Sequence, residues 1–248
     1  MKVVGLVAVR MGSQRLPGKS LIKFAGKPLL GHLIARLGAC PSIDETVVAT
    51  TILQEDDAIC DYATTLGVHS FRGAANDVLD RITGAARERD ADICVVVYGD
   101  GPLIDPDIID FAVRSFVKEK NLDFLGNDLK STFPSGMEVE VIRYEALAKS
   151  NQLCVDQSTR EHGTLFIRQN PEVFSIENFE AEGPQRRPDL FLEVDEERDL
   201  KVVEAVAAHL IERNSYALDT IIRFVDDTKL SNVNSSIFRR YLEFRRSS

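Results

Sequence analysis

Three basic residues lie close together near the start of the chain, at Arg10, Arg15 and Lys19. Small residues separate them, namely Gly12, Ser13 and Gly18. Small residues let backbone N–H groups approach an anion, and the three cations add positive charge to the same segment. The sequence therefore predicts a phosphate-binding loop over residues 10–19.

The end of this loop, Gly18-Lys19-Ser20, is similar to the end of a Walker A motif. That motif has four residues between its first glycine and the Gly-Lys pair. Here five residues separate Gly12 from Gly18, and Pro17 lacks the N–H group that a P-loop would use. The spacing favours a phosphate loop of different geometry over an ATPase. The segment also lacks the G-x-G-x-x-G pattern typical of dinucleotide-dependent oxidoreductases.

Two aspartates follow apolar segments and could hold a divalent cation. Asp100 comes after the apolar run 93–98, and Asp195 comes after the run 190–194. Carboxylate oxygens suit a hard cation, and two carboxylates on one site would repel each other without it. Each residue also has a simpler interpretation, because Gly-Asp-Gly-Pro forms turns and Asp195 is suited to cap the helix that follows.

Composition excludes several classes of function. The 248 residues carry a formal net charge of −9, which disfavours binding to nucleic acid or to an anionic membrane. No run of about 18 apolar residues predicts a membrane span, and we expect a cytoplasmic protein. The cysteines form no metal-binding pattern and are predicted to be isolated reduced thiols: Cys40, Cys60, Cys94 and Cys154.

Apolar runs and amphipathic stretches alternate through the first half of the chain. The pattern predicts strands at 3–9, 46–50, 68–71 and 93–98. It predicts helices at 29–37, 56–65, 76–88 and 106–118, the last capped by Asp105. This alternation favours an α/β fold with a mostly parallel sheet flanked by helices. The carboxyl ends of its strands would bring Arg10, Arg72 and Asp100 to one edge.

The pattern changes after residue 120. Alternating residues predict strands at 138–142 and 172–178, and thus an antiparallel excursion near 125–190. A return strand is expected at 190–194, followed by helices at 196–212 and 218–225. The basic tail is expected to be a solvated end or a contact for a partner or an anion: Arg239, Arg240, Arg245 and Arg246. No linker interrupts the chain, so 1–248 is predicted to be a single domain.

Residues 8–19, followed by Gly26-Lys-Pro-Leu29, resemble the signature of sugar-acid cytidylyltransferases. That group includes CMP-Kdo and CMP-sialic acid synthetases. The likeness is greatest to the acylneuraminate cytidylyltransferase-like branch named after spore-coat polysaccharide biosynthesis. Further segments resemble its patterns in the same order: 72–73, 77–81, 99–106, 133–141, 160–164 and 194–200.

The resemblance implies a Rossmann-like nucleotidyltransferase fold, transfer of CMP from CTP to an acceptor hydroxyl, Mg²⁺ as cofactor, and a homodimer formed through 125–190. It implies that the nucleotide is bound by Ala8, Arg10, Gly12, Ser13, Arg15, Lys19, Arg72, Asp77, Arg81 and Asp100. It assigns the metal to Asp100 and Asp195 and the acceptor to Gly136, Glu140, Arg160 and His162. The residues expected to carry catalysis are Arg10, Lys19, Asp100 and Asp195.

Several alternatives stay open. Arg81 could simply pair with Asp77 one helical turn away. His162 could bind a substrate carboxylate or support its loop, and Glu138 or Glu140 could belong to a solvated strand face. The protein could also bind a nucleotide without turnover, use another NTP, or act on an acceptor other than a sugar acid.

Overall fold

Strands and helices alternate along the computed structural model, which describes residues 1–13 and 15–235. Its strands, in chain order, are β1 Val3–Ala8, β2 Lys23–Phe24, β3 Lys27–Pro28, β4 Glu45–Thr51, β5 His69–Gly73, β6 Ile93–Tyr98, β7 Phe124–Gly126, β8 Glu140–Arg143 and β9 Ile176–Asn178. Seven of them form the main sheet in the order β5-β4-β1-β6-β8-β7-β9, and β2 and β3 form a small antiparallel hairpin.

The helices are α1 Leu29–Gly38, α2 Asp57–Thr65, α3 Val78–Glu88, α4 Pro106–Lys118, α5 Tyr144–Leu153, α6 Gln157–Arg160, α7 Leu165–Gln169, α8 Glu197–Arg213 and α9 Leu218–Thr228. Alternate residues of β1 pack into two apolar cores because side chains along a strand point to opposite faces. One core contains Val3 and Val7 with α1, α2, α4, α8 and α9. The other contains Val4 and Leu6 with α3, α5 and α7. The sheet is therefore covered on both sides.

The order of the strands fixes the place where a ligand would bind. From β1 the chain moves outward through β4 to β5, all parallel, and then returns to β6 on the other side of β1. Ligands of open α/β sheets bind at such a reversal, outside the carboxyl ends of the strands. The mostly parallel sheet is confirmed, and the ends of β1 and β6 define the candidate site.

The segment 125–190 extends the main sheet rather than forming a separate one. Its antiparallel strand is β8, which pairs with both β6 and β7, while β7 and β9 are parallel. The predicted strands at 138–142 and 172–178 correspond to β8 and β9. Three helices of this segment, α5 to α7, were not predicted. They are short or largely polar, and α5 buries only Ala146, Leu147 and Ser150.

The predicted return strand at 190–194 is wrong. These residues are almost wholly buried, but their only ladder contact among the described residues is a single bridge between Phe191 and Ser135. Their backbone groups bond to loops instead, with Leu192 N–H donating to Ser135 O at 2.9 Å and Val194 N–H to Asp100 O at 2.8 Å. The segment is apolar because it is buried, so its composition is typical of a strand even though it is not part of the sheet.

Other expectations about the chain are also resolved. Asp105 caps α4 as predicted, accepting from Asp107 N–H at 2.9 Å, and it also accepts from Leu218 N–H at the start of α9. The four cysteines are free thiols. Within residues 1–13 and 15–235, no helix combines the length and the apolar character that crossing a membrane requires. The basic tail at 239–246 lies outside the described residues.

Candidate active site

The cationic loop begins at the end of β1 and closes on itself at Met11. The carbonyl of Met11 accepts from Ser13 N–H at 2.8 Å and from Gly18 N–H at 3.1 Å. Below it, the hydroxyl of Ser20 donates to the carbonyl of Arg10 at 3.0 Å. Gly18 has a φ of 72°, a conformation that a residue without Cβ adopts freely. The two ends of the loop are thereby held side by side.

This geometry differs from a P-loop, as the spacing predicted. In a P-loop the Gly-Lys-Ser segment opens directly into a long helix. Here Gly18 is followed only by a 3-10 helix, Lys19–Leu21, and then by the β2–β3 hairpin before α1 begins. The loop is therefore a phosphate-loop candidate of a separate type.

Two carboxylates from distant parts of the chain meet the cations of this loop. Lys19 Nζ lies 3.3 Å from Asp195 Oδ1 and 3.9 Å from Asp100 Oδ2, and it also donates to the carbonyl of Val194 at 2.9 Å. Arg15 Nη2 lies 2.8 Å from Asp195 Oδ2. Lys19 is only 15% exposed, whereas Arg15 is 61% exposed. Loop and carboxylates thus form one cluster at the carboxyl ends of β1 and β6.

The side chain of Asp195 faces this cluster because another residue caps the following helix. The N-cap of α8 is Glu196, which forms a capping box with Asp199. Asp199 Oδ2 accepts from the N–H groups of Asp195 at 3.0 Å and Glu196 at 2.8 Å, and Asn234 holds its other oxygen. The expectation that Asp195 caps α8 is therefore wrong. Its backbone is fixed while its carboxylate stays available to the site.

Negative charge is concentrated at this point. Burial raises the pKa of Asp100, the neighbouring Asp195 carboxylate raises it further, and Lys19 opposes both. Burial also raises the pKa of Glu193 well above its ordinary value, and the charges of Glu138, Asp100 and Asp195 add to that effect. A divalent cation would relieve this repulsion. No group of three or more His, Cys, Asp or Glu side chains forms a ready-made metal site within residues 1–13 and 15–235.

The remaining predicted nucleotide residues, inside and outside the loop, occupy different environments. Ala8 is buried at the end of β1, and Arg10 and Gly12 are exposed just after it. The guanidinium of Arg72 is already bonded within the protein, to Thr51 O at 2.9 Å, Leu53 O at 2.8 Å and the carboxylate of Asp57 at 2.5 Å. Arg72 therefore shapes the turn after β4.

Arg81 is buried without the partner considered for it. Its side chain is 2% exposed and donates to the carbonyl of Ala74 at 2.9 Å. Burial lowers its pKa to about 10, and the charge of Arg10 contributes to the lowering. Asp77 caps α3 and pairs with Arg160 Nε at 2.7 Å, so the alternative in which Arg81 pairs with Asp77 is wrong. The nucleotide-binding role of Arg81 stays a prediction.

Comparison with known proteins identifies the family. A family model described as cytidylyltransferase matches residues 4–231. The chain belongs to the cytidylyltransferase family. A solved cytidylyltransferase from Leptospira borgpetersenii serovar Hardjo-bovis is 31% identical, with a TM-score of 0.87 and coverage of 93% of this chain and 96% of that one. The family and the fold predicted from residues 8–19 are thereby confirmed.

Two curated relatives show how the likeness of this cytidylyltransferase is distributed. The spore coat polysaccharide biosynthesis protein SpsF of Bacillus subtilis is 26% identical over 230 residues, which cover 90% of this chain and 94% of that protein. A 3-deoxy-manno-octulosonate cytidylyltransferase of Trichlorobacter lovleyi is 35% identical, but over 124 residues, 49% of this chain and 48% of that protein. The first likeness is lower in identity but spans nearly the whole chain.

In this cytidylyltransferase the predicted acceptor residue Glu140 lies inside a polar network. It is 2% exposed and accepts from Thr164 Oγ1 at 2.8 Å, with the Tyr98 hydroxyl at 3.4 Å and Arg168 Nη1 at 3.5 Å. Tyr98 also donates to the carbonyl of His162 at 3.3 Å. The network links the end of β6 to the segment that carries His162, so Glu140 supports that segment from below.

The sequence did not reveal Tyr98, Thr164 or Arg168 as members of this network. Tyr98 could have been noticed, since it is the one hydroxyl-bearing residue in an otherwise apolar strand and directly precedes Gly99-Asp100. Arg168 had no such signal. It lies on the unpredicted helix α7 and pairs with Asp128 at 2.9 Å.

Glu140 should make stability depend on pH. Burial raises its pKa from 4.5 to about 8, and the charge of Asp128 adds to the rise while Arg168 opposes it. Between these values the folded protein holds a proton that the unfolded chain has lost, so the free energy of unfolding falls as pH rises from about 4.5 to about 8. In Glu140→Gln, this decrease in the free energy of unfolding should be about 3 kcal/mol smaller. Denaturant unfolding at pH 5 and pH 8 measures it.

The exposed Glu177→Gln on β9 is the matched control for this substitution. It should reproduce the pH profile of the unaltered protein. Equal profiles for Glu140→Gln and the unaltered protein would contradict a protonated, buried Glu140.

The other predicted acceptor residues differ in accessibility. Arg160 is fully engaged by Asp77, by the carbonyls of Asn151 and Cys154, and by the side-chain oxygen of Asn151. His162 is exposed. Of these two, His162 is therefore the one whose side chain is accessible to a ligand.

Gly136 lies directly behind the carboxylate cluster. It has a φ of 94°, and a Cβ there would lie 2.9 Å from the backbone of Leu192. Gly136→Ala should therefore lower the free energy of unfolding by roughly 3 kcal/mol through strain and clash. Gly26→Ala, with a φ of 84° and no atom within 4 Å of its would-be Cβ, should cost only about 1 kcal/mol. Urea unfolding of both variants measures the difference, and equal losses would contradict the close packing at Gly136.

Proposed function

We propose that this protein transfers CMP from CTP to a hydroxyl group of a sugar acid, such as a nonulosonic acid or a Kdo-like acid, with release of pyrophosphate. The observation that carries the proposal is the convergence of Lys19 and Arg15 with Asp100 and Asp195 at the reversal of strand order. Cations suit the triphosphate, and carboxylates suit the metal that accompanies it. Membership of the cytidylyltransferase family supports CTP as the nucleotide.

The residues at the site fit Mg²⁺. Mg²⁺ takes oxygen ligands, keeps several waters, and is commonly held by one or two carboxylates together with substrate phosphates. Asp100 and Asp195 supply two carboxylates that both lie near Lys19 Nζ, and their mutual repulsion favours a cation between them. Bound there, the ion would neutralise phosphate charge and act as a Lewis acid.

The chain's own residues supply binding and charge stabilisation. Lys19, with Arg10 and Arg15, holds the triphosphate so that the acceptor hydroxyl can approach the α-phosphorus in line. The oxygen of that hydroxyl forms a bond to the α-phosphorus and loses its proton to solvent, while the bond from the α-phosphorus to the oxygen that bridges it to the β-phosphorus breaks and pyrophosphate leaves. Such chemistry depends mainly on positioning and electrostatic stabilisation.

The acceptor would bind between the end of β6 and the segment 160–164. Tyr98 and Glu140 hold this segment from below and leave His162 exposed above it. An imidazole N–H can donate a hydrogen bond to the carboxylate of a sugar acid. The relatives named spore coat polysaccharide biosynthesis protein and 3-deoxy-manno-octulosonate cytidylyltransferase support an acceptor of this class, and a role in surface-polysaccharide biosynthesis.

The test combines nucleotide binding with turnover. Thermal shifts with each of the four NTPs and Mg²⁺ should be largest for CTP, since a ligand at a hundred times its Kd stabilises by about 2.7 kcal/mol. Pyrophosphate release is then measured with CTP and a panel of sugar acids, with chelated Mg²⁺ and omitted acceptor as controls. CTP binding without pyrophosphate release from any acceptor would instead support a nucleotide-binding protein without turnover.

A further inference from the structure

A fully buried carboxylate outside the catalytic cluster touches the nucleotide loop. Asp56 lies in the 3-10 turn between β4 and α2 and is 0% exposed. Its Oδ1 accepts from the N–H of Met11 at 2.6 Å, across 45 residues of sequence. Its Oδ2 accepts from the hydroxyl of Thr51. In the part of the chain that the structure describes, Asp56 forms no ion pair.

A buried carboxylate is costly for folding unless charges or hydrogen bonds compensate it, and the charges of Arg72 and Arg81 act on Asp56. Its charge is removed from water, and a neutral side chain could accept the same hydrogen bond at lower cost. In return, a bond from an amide N–H to a carboxylate is shorter and roughly twice as strong as a neutral one. Asp56 therefore holds the N–H of Met11 more tightly than a neutral acceptor would.

The residue held in this way is also the one on which the loop closes. The carbonyl of Met11 accepts from both Ser13 and Gly18, and Lys19 follows Gly18 directly. The residue before Met11 is Arg10, whose carbonyl is held by Ser20. Fixing the Met11 peptide therefore fixes the positions of both cations at the ends of the loop.

The turn that carries Asp56 is itself rigidly held. Arg72 donates to the carbonyls of Thr51 and Leu53 and pairs with Asp57. Leu53 N–H donates to Thr51 Oγ1 at 3.1 Å, which orients the hydroxyl that bonds to Asp56. The turn therefore forms a fixed support on the β4 side of the loop.

We propose that Asp56 is a positioning residue for the nucleotide, which holds Met11 so that the loop presents Arg10 and Lys19 to the triphosphate before CTP arrives. The proposal rests on the proposed function in that CTP is the ligand of the loop. It extends that function to a residue that touches neither the nucleotide cluster of Asp100 and Asp195 nor the acceptor segment.

The experiment compares Asp56→Asn with Asp44→Asn. Asp44 is a matched control because its carboxylate also accepts from a backbone N–H, that of Val3 at 2.8 Å, but at the opposite end of β1. Calorimetry with CTP and Mg²⁺, without acceptor, should show about tenfold or weaker binding for Asp56→Asn and less than a twofold change for Asp44→Asn. Equal affinities in the two folded variants would overturn the proposal.

Amide hydrogen exchange without nucleotide separates this proposal from the proposed function. Peptides spanning residues 10–19 should exchange about tenfold faster in Asp56→Asn than in Asp44→Asn. If the unaltered protein binds no CTP, the proposed function fails, and unchanged exchange in Asp56→Asn would refute the positioning role independently. Should Asp56→Asn not fold, Thr51→Val, which removes the second partner of Asp56, should speed exchange of the same peptides. Unchanged exchange in that variant would also refute the role.

Discussion

Asp100→Asn should lower kcat for pyrophosphate release from CTP by at least about a hundredfold, the size expected for losing one electrostatic stabiliser. The side chain occupies the end of β6, and its carboxylate lies 3.9 Å from Lys19 Nζ. The carbonyl of the same residue, which the substitution keeps, accepts from Val194 N–H and holds the neighbouring segment. The asparagine variant therefore changes charge with little change in structure.

The same substitution should not destabilise the protein. Burial and the charge of Asp195 raise the pKa of Asp100, so its ionised form is less favourable in the folded protein than in the unfolded chain. The variant should melt at or above the temperature of the unaltered protein, measured at pH 7.5 without Mg²⁺. Asp226→Asn on α9, which breaks an ion pair with Arg187, is the control and should keep full turnover. Normal turnover in folded Asp100→Asn would contradict the assignment of Asp100 to the metal site.

The position of the candidate site could be predicted from the sequence because the residue types in short segments determine it. Small residues and cations after an apolar strand predict a phosphate loop, and parallel strands bring Arg10 and Asp100 to one edge. Both expectations concern where the backbone runs. Asp195 also lies in the same cluster as Asp100, but not through the sheet, since residues 190–194 form no strand and Val194 N–H donates to the carbonyl of Asp100.

The contacts of individual side chains could not be predicted in the same way. Asp195 and Glu196 are adjacent and both suited to cap α8, and the contact of Asp195 with Lys19 across 176 residues leaves the cap to Glu196. Asp77 had two cations within reach, and the distant Arg160 pairs with it rather than Arg81. The predicted strand at 190–194 is wrong for a related reason. The apolar composition of this segment indicates that it is buried, but it does not indicate which segments lie beside it. These outcomes depend on tertiary contacts that spacing does not encode.

Lys19→Ala should also reduce kcat by at least about a hundredfold, whereas Arg15→Ala should reduce it by less than about tenfold. Both cations contact Asp195, but Lys19 is 15% exposed and Arg15 is 61% exposed. Water screens an exposed pair, while the mostly buried ammonium of Lys19 acts at short range on Asp100, Asp195 and the triphosphate. Steady-state kinetics with saturating CTP and acceptor measure the difference. Similar losses of kcat in the two variants would contradict the inference that the buried Lys19 contributes more than the exposed Arg15.

Mg²⁺ provides a second readout for the same pair of variants. Without the Lys19 ammonium, the carboxylates of Asp100 and Asp195 repel each other, and the cation that still pairs with them among residues 1–13 and 15–235 is the exposed Arg15. A divalent cation should then raise the melting temperature of Lys19→Ala more than that of the unaltered protein, because a ligand that binds only the folded state stabilises it. In Arg15→Ala the gain should be smaller, since Lys19 still lies near both carboxylates. A melting temperature of Lys19→Ala that does not respond to Mg²⁺ would show that these carboxylates do not hold the ion, whatever the effect on turnover.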